Sequence, residues 1–247
     1  MAMVKALVLG GTTEATALAR LLAGHPAIDA LVSLAGRTKN PVLPPLPTRI
    51  GGFGGPEGLA AFLAREGIGA VIDATHPFAD RMSANAAAAC AATGVPLIVL
   101  TRAPWRPGPG DRWVPVPDMA AAAAALRGLG EGVFLTIGRQ ELAPFEAVPD
   151  KRYLIRAVDP PEPMPDLPRA TLILDRGPFT LDGELALLRG HSIDVLVSKN
   201  SGGHATDAKL EAARRLGLPV VMVERPPGNG VPELHDPAAA LAWLEGL

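Results

Sequence analysis

Short unbroken apolar runs alternate with segments of helical polarity along almost the whole chain. Val4–Leu9 is followed by Gly10-Gly11-Thr12-Thr13 and then by a helical pattern from Glu14 to Leu22. Strand, glycine turn and helix in that order open a βαβ unit. Further strands are predicted at Ile28–Leu34, Thr48–Ile50, Ala70–Ala74 and Pro96–Leu100, with helices at Pro56–Glu66 and Ser83–Thr93. The alternation resumes with strands at Val133–Ile137, Tyr153–Ala157, Leu172–Leu174, Asp194–Val197 and Val220–Val223, and helices at Leu181–Leu188 and Ala205–Leu216. Continuous apolar strands separated by helices predict parallel sheets covered on both faces.

The two halves echo each other. Gly94 to Pro104 (GVPLIVLTRAP) is similar to Gly217 to Pro227 (GLPVVMVERPP). Each is followed by a Gly/Pro-rich loop and then by an Asp-led, Ala-rich helix, Asp118–Leu126 and Asp236–Leu244. With 247 residues and roughly 150 residues per domain, the expectation is two Rossmann-like parallel-sheet domains. They span residues 1–130 and 131–247, with the active site in the cleft between them. Ligands of open α/β sheets sit at the carboxyl ends of the strands.

Composition narrows the function classes. Lys+Arg is 23 against Asp+Glu 25, a formal charge of −2, which argues against a general nucleic-acid binder. Aromatics are 4%, too few for base-stacking platforms. A hydrophobic fraction of 48% supports a buried core rather than disorder. The single cysteine, Cys90, excludes an internal disulfide and any multi-cysteine metal centre. His25, His76, His191, His204 and His235 are scattered without ligand spacing, so no metal site is expected. No signal or membrane-length segment is evident, so a cytoplasmic protein is expected, and a monomer, since no feature demands an oligomer.

Candidate chemistry collects at the predicted strand ends. Gly10-Gly11-Thr12-Thr13-Glu14-Ala15 meets a dinucleotide fingerprint at Gly10 and Ala15 but has Thr12 where the second glycine belongs. Amides and hydroxyls at a helix start still suit a phosphate, although a plain strand-to-helix turn reads the same way. Gly36-Arg37-Thr38 follows the second strand, where an arginine suits the 2′-phosphate of NADP; a solvated loop arginine is equally compatible. Asp73-Ala74-Thr75-His76-Pro77-Phe78 ends a buried strand, with His76 either a donor to ligand or a backbone cap. Ile137-Gly138-Arg139-Gln140-Glu141 offers Arg139 as a carboxylate clamp, or as a surface partner of Glu141 or Glu146. Ser198-Lys199-Asn200-Ser201-Gly202-Gly203 combines anion-favouring amides with Lys199, one of five lysines against eighteen arginines. Unlike arginine, lysine can release a proton. The Tyr-x-x-x-Lys pair of short-chain dehydrogenases is absent, because four residues after the only tyrosine, Tyr153, stands Ala157.

Taken in order, these motifs, with Gly51-Gly52-Phe53-Gly54-Gly55 and Ser83-Ala84-Asn85, resemble the precorrin-6A reductases of cobalamin biosynthesis, including the cobalt-precorrin-6A variant. The resemblance runs from about Lys5 to Pro227. It implies NADPH in the N-terminal half and hydride transfer to one ring double bond of precorrin-6A, giving precorrin-6B. The substrate so implied is a carboxylate-rich tetrapyrrole. The cofactor residues are then Gly10, Gly11, Thr12, Thr13, Glu14, Arg37, Thr38, Gly52, Phe53, Thr75, His76 and Pro77. Arg139, Gln140, Asn200, Ser201, Gly202 and Gly203 face substrate, and Lys199 with Ser198 are catalytic. Arg102, Arg106, Arg139, Arg156 and Arg176 form a pool of cations for the carboxylates. Two alternatives remain on sequence grounds: a cofactor-free tetrapyrrole-binding or cyclising enzyme, and a non-catalytic binding module.

Overall fold

The computed structural model describes residues 3–247; Met1 and Ala2, at the start of the expected first domain, lie outside the described residues. In chain order the elements are β1 (Val4–Leu9), α1 (Thr13–Leu22), β2 (Ile28–Leu34), β3 (Thr48–Ile50), α2 (Pro56–Glu66), β4 (Ala70–Asp73), α3 (Asp80–Thr93), β5 (Leu97–Leu100), β6 (Arg112–Val116) and α4 (Met119–Ala125). They continue with β7 (Gly132–Leu135), β8 (Arg152–Ala157), β9 (Ala170–Leu174), α5 (Leu181–Gly190), β10 (Val195–Lys199), α6 (Ala208–Leu216), β11 (Pro219–Val223), β12 (Glu233–Leu234) and α7 (Pro237–Glu245).

The strands form two six-stranded sheets, β12-β5-β4-β1-β2-β3 and β6-β11-β10-β7-β8-β9, and every pairing is parallel. Counted from β1 and from β7, both have the doubly wound order 3-2-1-4-5-6. The sixth strand of each comes from a distant part of the chain. After β5 the chain supplies β6 to the second sheet, and after β11 it supplies β12 to the first. The compact units are therefore residues up to Ala103 with Pro226–Leu247, and Pro104–Arg225. This corrects the expected division at residue 130: β6 and α4 belong to the second unit, β12 and α7 to the first. The reason is pairing. Trp113 of β6 registers with Val220 of β11, and Leu234 of β12 with Leu100 of β5.

Both late strands are edges, and neither looks like a strand in sequence. β6 contains Pro115, tolerated because an edge strand needs hydrogen bonds on one side only. β12 is two residues long. Other boundaries differ from expectation by a few residues; α3 starts at Asp80 rather than Ser83, and β10 extends through Ser198 and Lys199.

The first sheet is covered on both faces, which is why its strands are apolar throughout. Ala6 and Val8 of β1, with Val32 and Ile72, pack against Leu18 and Leu22 of α1 and Leu244 of α7. Leu7 and Leu9 turn the other way, onto Leu59 and Leu63 of α2 and Ala86, Ala89 and Cys90 of α3. Burial, and then the negative charge of Asp73, push the Cys90 thiol up to about 11, so it is an inert core side chain. In the second sheet Phe134, Leu154, Leu196, Val220 and Met222 pack on Leu188 of α5 and on Leu210, Ala212 and Ala213 of α6.

Gly58, in the first turn of α2, lies against the loop from Gly51 to Gly55. A Cβ there would overlap the Phe53 carbonyl oxygen. Gly58→Ala is expected to cost about 1–3 kcal/mol, the range for overpacking, read as a lower melting temperature. An unchanged melting temperature would show that the loop yields freely.

Candidate active site

The candidate cofactor residues of the first unit all follow the carboxyl ends of strands, whereas Ser83-Ala84-Asn85 lies within α3. Gly10 to Glu14 follow β1, Arg37 and Thr38 follow β2, Gly52 and Phe53 follow β3, and Thr75, His76 and Pro77 follow β4. β1 and β4 are neighbours where the strand order reverses, the place at which such sheets bind ligands.

The glycine turn is shaped from both sides. A Cβ on Gly10 would come within 3.1 Å of Val32 Cγ1 and 3.3 Å of Leu34 Cδ2. Gly11 has φ +122 and nothing within 4 Å of a Cβ position, which leaves bare backbone at the amino end of α1. Thr12 explains the departure from a second glycine. Its Oγ1 accepts from the Ala15 amide (3.1 Å) as the helix N-cap and donates to the Ala74 carbonyl (2.8 Å), tying the loop after β1 to the end of β4. Thr13 Oγ1 donates to Glu14 Oε1 at 3.0 Å. Glu14 Oε2 in turn accepts from Arg102 at 2.9 Å, so Glu14 and Arg102, assigned from sequence to cofactor and substrate, are engaged with each other.

Arg37 is exposed and Thr38 half-buried. The residue that organises this edge is Arg49 of β3, which sequence reasoning passed over. Its guanidinium donates to Ser33 Oγ (2.7 Å) and to the carbonyls of Gly51 (2.9 Å) and Gly52 (3.0 Å). It also sits 4.0 Å from the Phe53 ring centroid. Phe53, Phe62 and Arg49 thus pack on one another, with the two rings edge to face at 5.1 Å. After β4, Asp73 Oδ1 accepts from the Thr75 amide (3.0 Å) and hydroxyl (2.7 Å). Its buried Oδ2 finds no hydrogen-bond donor among the described residues. His76 is exposed, and its Nδ1 accepts from the Phe78 amide at 3.3 Å.

The second unit repeats the arrangement at its own reversal point, between β7 and β10. Lys199 is the last residue of β10, and its ammonium pairs with Glu141 in the loop after β7. Ser198 is fully buried, and its hydroxyl donates to the Lys199 carbonyl at 3.2 Å; it braces the strand end rather than facing a ligand. The Asn200 side chain is also spent internally: Oδ1 accepts from the Trp105 amide (2.8 Å) and Nδ2 donates to the Trp105 carbonyl (3.1 Å). Trp105 Nε1 donates to the Gly203 carbonyl at 2.9 Å. Gly202 and Gly203 adopt φ +70 and +80, conformations that favour glycine. Arg139 donates to the Pro160 carbonyl at 3.0 Å, and Gln140 is exposed beside it.

Arg156 leaves the pool of substrate cations. It is 7% exposed, ion-paired with the buried Glu184 of α5, and stacked 3.6 Å from the Phe179 ring centroid. Sequence reasoning also missed a cavity of about 420 Å³ in this unit, walled by Trp105, Trp113, Met222, Asn200 and Glu224. The one available signal was two of the chain's three tryptophans inside a proline-rich stretch.

Two doubly wound units with glycine-rich loops at both reversal points define a Rossmann-like α/β class, in which ligands bind at the carboxyl ends of the strands. The family model described as Precorrin-6x reductase CbiJ/CobK matches residues 5–245, and the chain belongs to this family. It is 57% identical over 225 residues to a protein of Rhodobacter capsulatus named precorrin-6A reductase, covering 91% of this chain and 89% of that one. A Rhodococcus erythropolis protein of the same name is 51% identical over 247 residues, covering 99% of each chain. A solved structure described as CobK precorrin-6A reductase superposes with TM-score 0.93 at 53% identity, over 99% of this chain and 97% of that one. Among the described residues no group of three or more metal-ligating side chains occurs, and no helix is long and apolar enough to cross a membrane.

Proposed function

We propose that this chain reduces one ring double bond of precorrin-6A to give precorrin-6B, with NADPH as reductant. Membership of a reductase family supports a redox reaction over a cofactor-free cyclising enzyme or a binding module. NADPH, when bound, supplies the hydride, and the protein's share is placement, charge and the proton. The first unit fits the cofactor. Gly11 leaves bare backbone at the amino end of α1, where the amides and the helix dipole suit a pyrophosphate. Thr12 fixes that turn, and Arg37 with Thr38 stand at the end of the second strand of a 3-2-1-4-5-6 sheet, the position that distinguishes NADP from NAD. Thr13, Gly52, Phe53, Thr75, His76 and Pro77 complete the same rim of strand ends.

In the second unit Lys199 is assigned the proton or the stabilisation of charge on the macrocycle. Arg139, Gln140 and the Ser201 to Gly203 backbone are assigned to the carboxylates, and the tryptophan-walled cavity offers apolar surface to the ring. The reading takes the protein as a cytoplasmic monomer, to be checked by size-exclusion chromatography with light scattering.

The observation that carries NADPH over NADH is Arg37 at the end of β2. A charged hydrogen bond to phosphate contributes about 1.5–3 kcal/mol, so Arg37→Ala is expected to weaken NADPH binding by roughly 10–100-fold. NADH binding is expected to stay near wild type. Fluorescence titration of both nucleotides measures this; equal losses for the two would remove the 2′-phosphate assignment.

A further inference from the structure

Arg102, expected from sequence to be a substrate cation, and Arg225 occupy the same place in the two units. Arg102 lies two residues beyond β5 and Arg225 two residues beyond β11, so each follows the fifth strand of its sheet. Each also stands where the chain leaves its unit, at Ala103–Pro104 and at Arg225–Pro226. From there Arg102 reaches back to the first turn of α1 and Arg225 to the loop after β10, each at its own sheet's reversal point.

The two contacts differ in chemistry. Arg102 Nη1 donates to Glu14 Oε2 at 2.9 Å, with both side chains 17% exposed. Glu14 sits in the first turn of α1, where an unpaired carboxylate would repel an anion arriving at the helix amino end. Arg102 cancels that charge. Arg225 grips backbone instead; its Nε donates to the Asn200 carbonyl and its Nη2 to the Ser201 carbonyl, each at 2.8 Å. With Trp105 Nε1 on the Gly203 carbonyl, three carbonyls of this loop are held by side-chain donors. The guanidinium also places a positive charge behind a loop assigned to anionic substrate.

We propose that Arg102 and Arg225 are paired positioning residues. Arg102 keeps the start of α1 receptive to the pyrophosphate of the dinucleotide by neutralising Glu14, and Arg225 sets the Asn200 to Gly203 loop for a substrate carboxylate. The proposal rests on the ligand assignments under Proposed function. It predicts a crossed pattern that a purely structural role does not produce.

In the full-length protein, Arg102→Gln is expected to weaken NADPH binding about tenfold in a fluorescence titration without substrate. Adding Glu14→Gln is expected to restore affinity to within about threefold of wild type, because the uncancelled charge is then gone. A double variant no tighter than Arg102→Gln overturns the charge-cancelling role. Arg225→Gln is expected to raise KM for precorrin-6A about tenfold, with a smaller change in kcat and NADPH affinity near wild type. Arg225→Lys, which keeps the charge but reaches one carbonyl, is expected to fall between the two. If Arg225→Gln does not fold, the lysine variant carries the test, and a wild-type KM there overturns the proposal.

Two controls separate this proposal from the reading beneath it. Gly202→Ala strains the loop itself at φ +70. If it leaves the KM for precorrin-6A unchanged, the loop assignment under Proposed function fails. If it raises KM while Arg225→Gln does not, only the role of Arg225 falls. Likewise, loss of NADPH affinity in Arg37→Ala without loss in Arg102→Gln removes Arg102 alone.

Discussion

Lys199→Ala is expected to lower turnover by about 10²–10⁴-fold, the usual contribution of a positioned proton donor, with NADPH affinity near wild type. β10 is buried from Val195 to Ser198, and Lys199 closes it with a side chain only 15% exposed. A lysine there must be paired, and Glu141 from the loop after β7 supplies the partner. The pair bridges the two strands at which the sheet reverses, so the ammonium is held at the rim where ligands bind. Reduction of a ring double bond adds a hydride at one atom and a proton at its neighbour, and Lys199 is a cation able to give up a proton. Lys199→Arg separates the two roles. Arginine keeps the charge but does not release a proton, so retained turnover assigns charge stabilisation and lost turnover assigns the proton. Wild-type turnover in Lys199→Ala would remove Lys199 from the mechanism.

The second large effect concerns stability. Glu184→Gln is expected to destabilise the protein by about 3–5 kcal/mol, because it leaves the Arg156 guanidinium buried without its counter-charge. Glu184 is 2% exposed and Arg156 7%, and the guanidinium lies 4.8 and 3.6 Å from the ring centroids of Phe134 and Phe179. With both side chains buried, solvent does not screen the charge left behind. Arg156→Met/Glu184→Leu removes both charges and is expected to recover most of the loss, measured as the urea midpoint with an unchanged slope. KM for precorrin-6A in that double variant is expected to stay near wild type. A large rise in KM with intact stability would return Arg156 to the substrate side, where its place next to a strand end had first put it.

The sequence by itself determined the layered α/β class and placed the candidate residues at strand ends. Apolar strands buried on both faces leave a periodicity that survives without any tertiary information, and most predicted elements lie within a few residues of those observed. The glycine turn after β1, Arg37 after β2 and Lys199 at the end of β10 were legible because strand ends are marked by a switch from apolar to polar residues. Tertiary structure decided the rest, since each remaining feature depends on partners far along the chain. Sheet membership of β6 and β12 is set by pairing with β11 and β5; one carries a proline and the other has two residues, so neither has a local signature. The near repeat that suggested two successive domains carries β5 and β11, the strands after which the chain crosses to the other unit and supplies its edge strand and an Asp-led helix. Arg156, Arg102 and Asn200 read as ligand residues because their neighbours in sequence are strand ends. Glu184, Glu14 and the Trp105 backbone hold them in space, and contacts between residues so far apart in the chain leave no local pattern to read.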